Sequence, residues 1–101
     1  MNKQKLETEE EEKFVDLAFD LGCKAIKFID PGSRNGPDRM VLCPKGRTIW
    51  FEFKRKDEEP RSGQYKYHDG LRSLGFLVYV VVEATQAEWI LKRFLNEDSI
   101  S

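Results

Sequence analysis

The sequence predicts an α/β domain, a mixed central sheet flanked by helices with its elements in the order α-β-β-β-α-β-α. Three observations carry this. Apolar residues recur at helical spacing in three separate stretches, two short strand-like runs are joined by the turn Pro44-Lys45-Gly46-Arg47, and the unbroken apolar run Phe76 to Val82 follows a helix. A turn makes an antiparallel pair and a helical crossover a parallel one, so one sheet must hold both.

From about Lys3 to Leu21, Phe14, Val15, Ala18 and Leu21 form a helical stripe, and Gly22 is placed to end the helix. Lys24 to Ile29 alternates charged and apolar residues as a half-buried strand does. The loop Asp30 to Pro37 is dense in turn residues and contributes an arginine but no core residue. Strands are expected at about Asp38 to Cys43 and Thr48 to Arg55. A helix then starts with Ser62 near its cap, turns Tyr67, His68, Leu71 and Leu74 inward, and stops at Gly75. The run from Phe76 reads as a central strand covered on both faces. A last helix, about Thr85 to Asn96, has Ala87, Ile90, Leu91 and Phe94 on its inner side and Trp89 on the opposite one.

A length of 101 residues with 40% hydrophobic content is enough for one domain with a core and too short to suggest a second. The net charge of −1 gives no global basicity, but charge is unevenly spread. Met1 to Asp20 holds seven acids against three lysines, and Lys24 to Tyr67 holds eleven basic residues against six acids. Cys23 and Cys43 fit neither zinc-knuckle nor redox spacing and read as buried free thiols of a reducing compartment. With no signal-like opening and no apolar run near the ~18 residues of a membrane span, a soluble, intracellular, cytoplasmic protein without membrane contact is expected.

The chemistry-bearing residues lie on the hairpin. Strand alternation turns Glu52 and Lys54 to one face and Phe51 and Phe53 to the other. Asp38 opens the preceding strand, and folding the hairpin brings its carboxyl and that of Glu52 within reach of one ion.

In order and spacing, Pro31-Gly32, Gly36-Pro37-Asp38-Arg39, Glu52-Phe53-Lys54, Ser62-Gly63-Gln64 and Leu71 to Gly75 resemble the virus-type replication-repair nuclease (VRR-NUC) domain of the PD-(D/E)xK nuclease superfamily. The resemblance spans nearly the whole chain and implies a restriction-endonuclease-like core. It also implies Mg²⁺- or Mn²⁺-dependent cleavage of DNA phosphodiesters. Small stand-alone members, often of phage origin, look like homodimers acting on branched DNA such as four-way junctions. The resemblance implies Asp38 and Glu52 as metal-binding acids, Lys54 as the active-site lysine and Gln64 as the glutamine of the following helix. The family's glutamate on the first helix has two candidates here. On a helical wheel Glu11 lies within the stripe of Phe14, Val15 and Ala18, with Glu7 to its side and in reserve.

Mg²⁺ prefers oxygen ligands and needs only one or two carboxylates beside a phosphate. Asp38, Glu52 and the Phe53 carbonyl are the expected ligands, with Glu11 acting through a water. Lys54 is expected to lower the pKa of the attacking water or to stabilise phosphoryl charge, and Gln64 to orient water or phosphate. Arg34, Arg39, Arg55, Lys56 and Arg61 surround this centre and are candidates for DNA phosphate contact. Trp89 is a candidate for dimer contact.

Each residue has an ordinary reading beside this one. Glu52 and Lys54 suit a solvated strand face, Asp38 a turn, and Gln64 an exposed helix position; Thr8 to Glu11 fits a capping box if the helix starts at Thr8. His68, the only histidine, reads as packed and hydrogen-bonded rather than as a general base. As a whole, the alternatives to a nuclease are a non-catalytic DNA-binding module on the same fold and a structural domain with no DNA role.

Overall fold

The structure, a computed structural model, describes residues 3–100, and side chains over 7–97. Its elements are α1 (Lys3–Asp20), β1 (Lys24–Lys27), β2 (Arg39–Leu42), β3 (Thr48–Phe53), α2 (Ser62–Ser73), β4 (Leu77–Val81) and α3 (Ala84–Ile100). This is the expected order, and the strands lie in the sheet as β1-β2-β3-β4. The first three pair antiparallel, with Ala25 opposite Val41 and Val41 opposite Ile49. β4 returns through α2 and pairs parallel to β3, with Phe51 opposite Tyr79.

The same device stops both of the first two helices. Gly22, at φ 81, donates to the Phe19 carbonyl while Cys23 donates to Ala18. Gly75, at φ 97, donates to Arg72 while Phe76 donates to Leu71. Each glycine takes the left-handed conformation that lets two orphan carbonyls of the last turn be satisfied, and a side chain there would be strained. α1 begins by Lys3, so Thr8 is inside the helix and the capping-box reading of Thr8 to Glu11 does not apply.

Strand alternation gives β3 two different buried faces. Phe51 and Phe53 meet Phe14 of α1, with ring centroids 4.9 and 5.7 Å apart. On this side α1 and α3 cover the sheet, and Ala18, Val41, Ile49, Val81, Ala87, Leu91 and Phe94 complete the main core. On the other side α2 lies across Trp50 and Glu52. There Trp50 packs edge-on against Phe28 and Phe76, and Phe28 against Tyr67. Cys23 and Cys43 are buried and unbridged.

Two packing expectations are corrected. β4 is not a central strand but an edge, with Leu77 and Tyr79 exposed and Val78 and Val81 buried. The strand covered on both faces is β3, whose charged alternation hid the fact that α2 seals Glu52 beneath it. Leu74 is not a core residue, being 75% exposed just beyond the last residue of α2. Among the described residues no helix is long and apolar enough to cross a membrane.

Candidate active site

The hairpin places Asp38 next to β3 at the point where that strand ends. The Asp38 Oδ2 atom accepts the Phe53 backbone N–H at 2.7 Å, which fixes the carboxyl one residue from Glu52. Burial pushes Asp38 up to about 6, the charges of Glu11 and Glu52 add to the rise, and the Phe53 N–H and Lys54 oppose it. Burial is the main cause, and the smaller push from the Glu11 and Glu52 charges is the part that a cation placed among them would relieve.

Glu52 is 1% exposed. Its Oε1 lies 2.9 Å from His68 Nε2, and its Oε2 lies 3.2 Å from Lys54 Nζ. That second approach is ionic only, because Oε2 accepts no hydrogen bond. A buried carboxylate oxygen without a donor is costly unless something else meets it. Two carboxylates, with Glu52 Oε2 met by the Lys54 ammonium alone and by no hydrogen bond, form an all-oxygen donor set that fits a hard divalent ion. Among the described residues no three or more His, Cys, Asp or Glu side chains are grouped so that they could hold a metal ion together, so Glu11 does not join Asp38 and Glu52 as a direct ligand, and a site here would rest on one or two carboxylates.

Glu11 faces the same centre, since its charge acts on Asp38, and its Oε1 accepts from Arg39 Nε at 2.7 Å. Glu7, one turn earlier, instead pairs with Glu58. Burial and the hydrogen bond to Glu58 push it up to about 7, against the pull of Lys54. Gln64 is buried, not exposed, and its Oε1 accepts the Arg61 N–H at 2.9 Å. That bond closes the first turn of α2 and leaves the amide NH₂ as the donor Gln64 can still offer.

The basic residues divide into two groups. Arg34, Lys56 and Arg61 are exposed. Arg39 is turned inward on Glu11, and Arg55 is bound to both oxygens of Asp57 at 2.9 Å and to Glu58 at 3.1 Å. A cleft of about 290 Å³ runs beside the centre between Glu7, Glu10, the segment Lys54 to Asp57, Val82 and Glu83.

Besides Glu11–Arg39, two further contacts had no local signature in the sequence. Glu10 accepts the Ala84 N–H at 2.9 Å and so caps α3 from a residue 74 positions away. His68 is packed and hydrogen-bonded as expected, but its partner is the site carboxylate Glu52, 16 positions away. The i, i+4 spacing of Gln64 and His68, which puts both on one face of α2, is the signal that could have paired them with the same centre.

No family model matches the chain. It is similar to "Putative nuclease p44" of Acyrthosiphon pisum secondary endosymbiont phage 1, at 38% identity over 71 residues, which is 70% of this chain and 76% of that one. Among solved structures it is similar to a VRR_NUC domain, with a TM-score of 0.77 over 85% of this chain and 94% of the other at 24% identity. The mixed four-stranded sheet with its three helices is an α/β fold that matches that solved domain. Within that class the chain belongs to the VRR-NUC family.

Proposed function

We propose that this chain is a divalent-metal-dependent endonuclease that hydrolyses phosphodiester bonds in branched DNA, four-way junctions included, and works inside the cell as a homodimer. The observation that carries the reading is the Glu52 Oε2 atom, buried and without a hydrogen bond, beside Lys54 and the elevated carboxyl of Asp38. Asp38, Glu52 and the Phe53 carbonyl would hold Mg²⁺ or Mn²⁺, which when bound supplies positive charge at the scissile phosphate.

The chain's own groups do the rest. The Lys54 ammonium, held on Glu52, offsets charge growing on the phosphoryl oxygens as water attacks in line. Glu11 accepts a hydrogen bond from that water and orients it. The Gln64 amide donates to a phosphate oxygen, because its own oxygen is committed to Arg61. Breaking the P–O3′ bond leaves a 5′ phosphate and a 3′ hydroxyl. Arg34, Lys56 and Arg61, the exposed cations, carry DNA contact. Arg39 and Arg55 serve indirectly, by holding Glu11 and the 57–58 turn in place.

A gel assay on single-stranded, duplex, flap and four-way DNA, with Mg²⁺, Mn²⁺ or chelator, tests this reading. Metal-dependent cuts favouring the branched substrates are expected. Binding without cleavage under every divalent ion points to the DNA-binding module instead.

A further inference from the structure

We propose that His68 is a positioning residue for Glu52, pinning one carboxylate oxygen so that the other is presented to the divalent ion. The inference rests on the reading of Glu52 as a metal ligand. His68 and Glu52 are each 1% exposed, and His68 Nε2 lies 2.9 Å from Glu52 Oε1. An ionised carboxylate only accepts hydrogen bonds, so Nε2 carries the hydrogen and donates it. The terminal torsion of a glutamate is broad and nearly two-fold, so an unanchored carboxylate exchanges its oxygens and swings freely. With Oε1 tied to α2, the oxygen left without a hydrogen bond is Oε2. The crossover that makes β4 parallel to β3 is what lays α2 over the Glu52 face, so the fold itself delivers the imidazole. The same contact leaves His68 poorly placed as a general base, since it is sealed from solvent and its Nε2 is already engaged.

Because His68 is the only histidine, long-range ¹H–¹⁵N spectra of the parent protein report on it directly. A proton on Nε2 in chelator is expected, with a Nε2 shift that follows Mg²⁺ titration at the dissociation constant found by calorimetry. A proton fixed on Nδ1, or a Nε2 signal indifferent to saturating Mg²⁺, overturns the proposal.

Two variants then separate positioning from packing. In H68Q the amide nitrogen can reach the place of Nε2, whereas in H68N it falls short. Calorimetry with Mn²⁺ should give H68N a loss of about 10–100-fold in affinity and H68Q an affinity near the parent's. Melting in chelator checks that both variants are folded. Equal affinities in H68N and the parent, or equal losses in the two variants, sink the idea. If neither variant folds, the parent spectra decide alone. A parent protein that takes up no Mn²⁺ removes the metal reading of Glu52 first, while a parent that binds Mn²⁺ beside an unaffected H68N removes only the positioning role.

Discussion

Asp38 Oδ2 accepts the Phe53 backbone N–H at 2.7 Å, which fastens a carboxyl from the head of one strand to the end of the next. Asparagine keeps an oxygen for that bond but not the charge. D38N is therefore expected to fold, to bind DNA as the parent does, and to lose cleavage. Removing several kcal/mol of charge stabilisation corresponds to a rate loss of about 10²–10⁴-fold. Single-turnover cleavage and fluorescence anisotropy on the same four-way DNA give the two readouts. Undiminished cleavage by D38N contradicts the assignment of Asp38.

The same carboxyl makes the metal-free protein less stable as pH rises. Burial, with Glu11 and Glu52 adding, lifts Asp38 from 3.8 to about 6. The folded state holds this proton after the unfolded chain has released it, so stability declines between about pH 4 and 6 and stays low above that. At about 1.4 kcal/mol per pKa unit the effect is on the order of 3 kcal/mol. Glu7, raised to about 7 chiefly by burial, acts in the same direction, while Glu58, lowered by its hydrogen bond to Glu7, opposes it, so D38N should flatten most but not all of the decline. D38N should also be the more stable protein at neutral pH in chelator. Urea unfolding across this range measures both, and a parent curve parallel to that of D38N rejects the claim.

Cation binding should reverse that penalty. Free metal a hundredfold above its Kd stabilises the folded chain by about 2.7 kcal/mol. For a domain near 100 residues this is a rise in Tm of roughly 10–20 °C. Melting with Mg²⁺ and with chelator tests it, and E52A should erase most of the difference. A shift of the same size in E52A places the cation elsewhere.

The sequence displayed what is local and hid what is distant. Turn chemistry at Pro44-Lys45-Gly46 and Gly22, and the helical stripe running through Ala87, Leu91 and Phe94, show in spacing alone, so element order and the exposure of Trp89 were legible. Alternation likewise put Glu52 and Lys54 on one face. What covers that face was not legible, because a charged row looks solvated until α2 is known to lie on it. An apolar run equally fails to tell a central strand from an edge, since Leu77 and Tyr79 would look the same in either. The Glu11–Arg39 and Glu52–His68 contacts span 28 and 16 residues, and no spacing rule links such positions.

Arg34 and Arg39 should behave oppositely although both lie beside Asp38 in sequence. Arg34 is exposed, so R34A should weaken DNA binding across sequences and reduce the slope of log affinity against log salt by about one. Arg39 is held on Glu11 at 2.7 Å with both side chains largely buried. R39A strands that carboxylate, costs about 1–3 kcal/mol of stability, and should leave the salt slope unchanged. Anisotropy over a salt series together with urea unfolding separates them. An altered slope in R39A with unaltered stability would mean that Arg39 leaves Glu11 to meet the DNA.

Trp89 is 60% exposed and shares a shallow cleft with Leu77, Tyr79 and Arg93 on the outer side of β4. An edge strand normally defends itself with charge or proline, whereas this one shows leucine and tyrosine, with Phe76 and Leu74 also exposed beside it. One outer carbonyl, that of Val78, is already taken by the Arg72 guanidinium at 2.6 Å, so side-chain packing rather than strand addition is the expected mode of contact. A second copy of the chain meeting this patch about a two-fold axis would bury the aromatic anchors of both. It would also hold two sites at a fixed separation, which would select branched DNA by shape. W89E should therefore convert two-chain particles to single chains in sedimentation, with the Tm in chelator falling only as far as lost dimerisation requires. It should also reduce paired cuts in four-way DNA more than single cuts in a flap. A parent protein that sediments as one chain at every concentration, or a W89E variant that still pairs, excludes this surface as the contact.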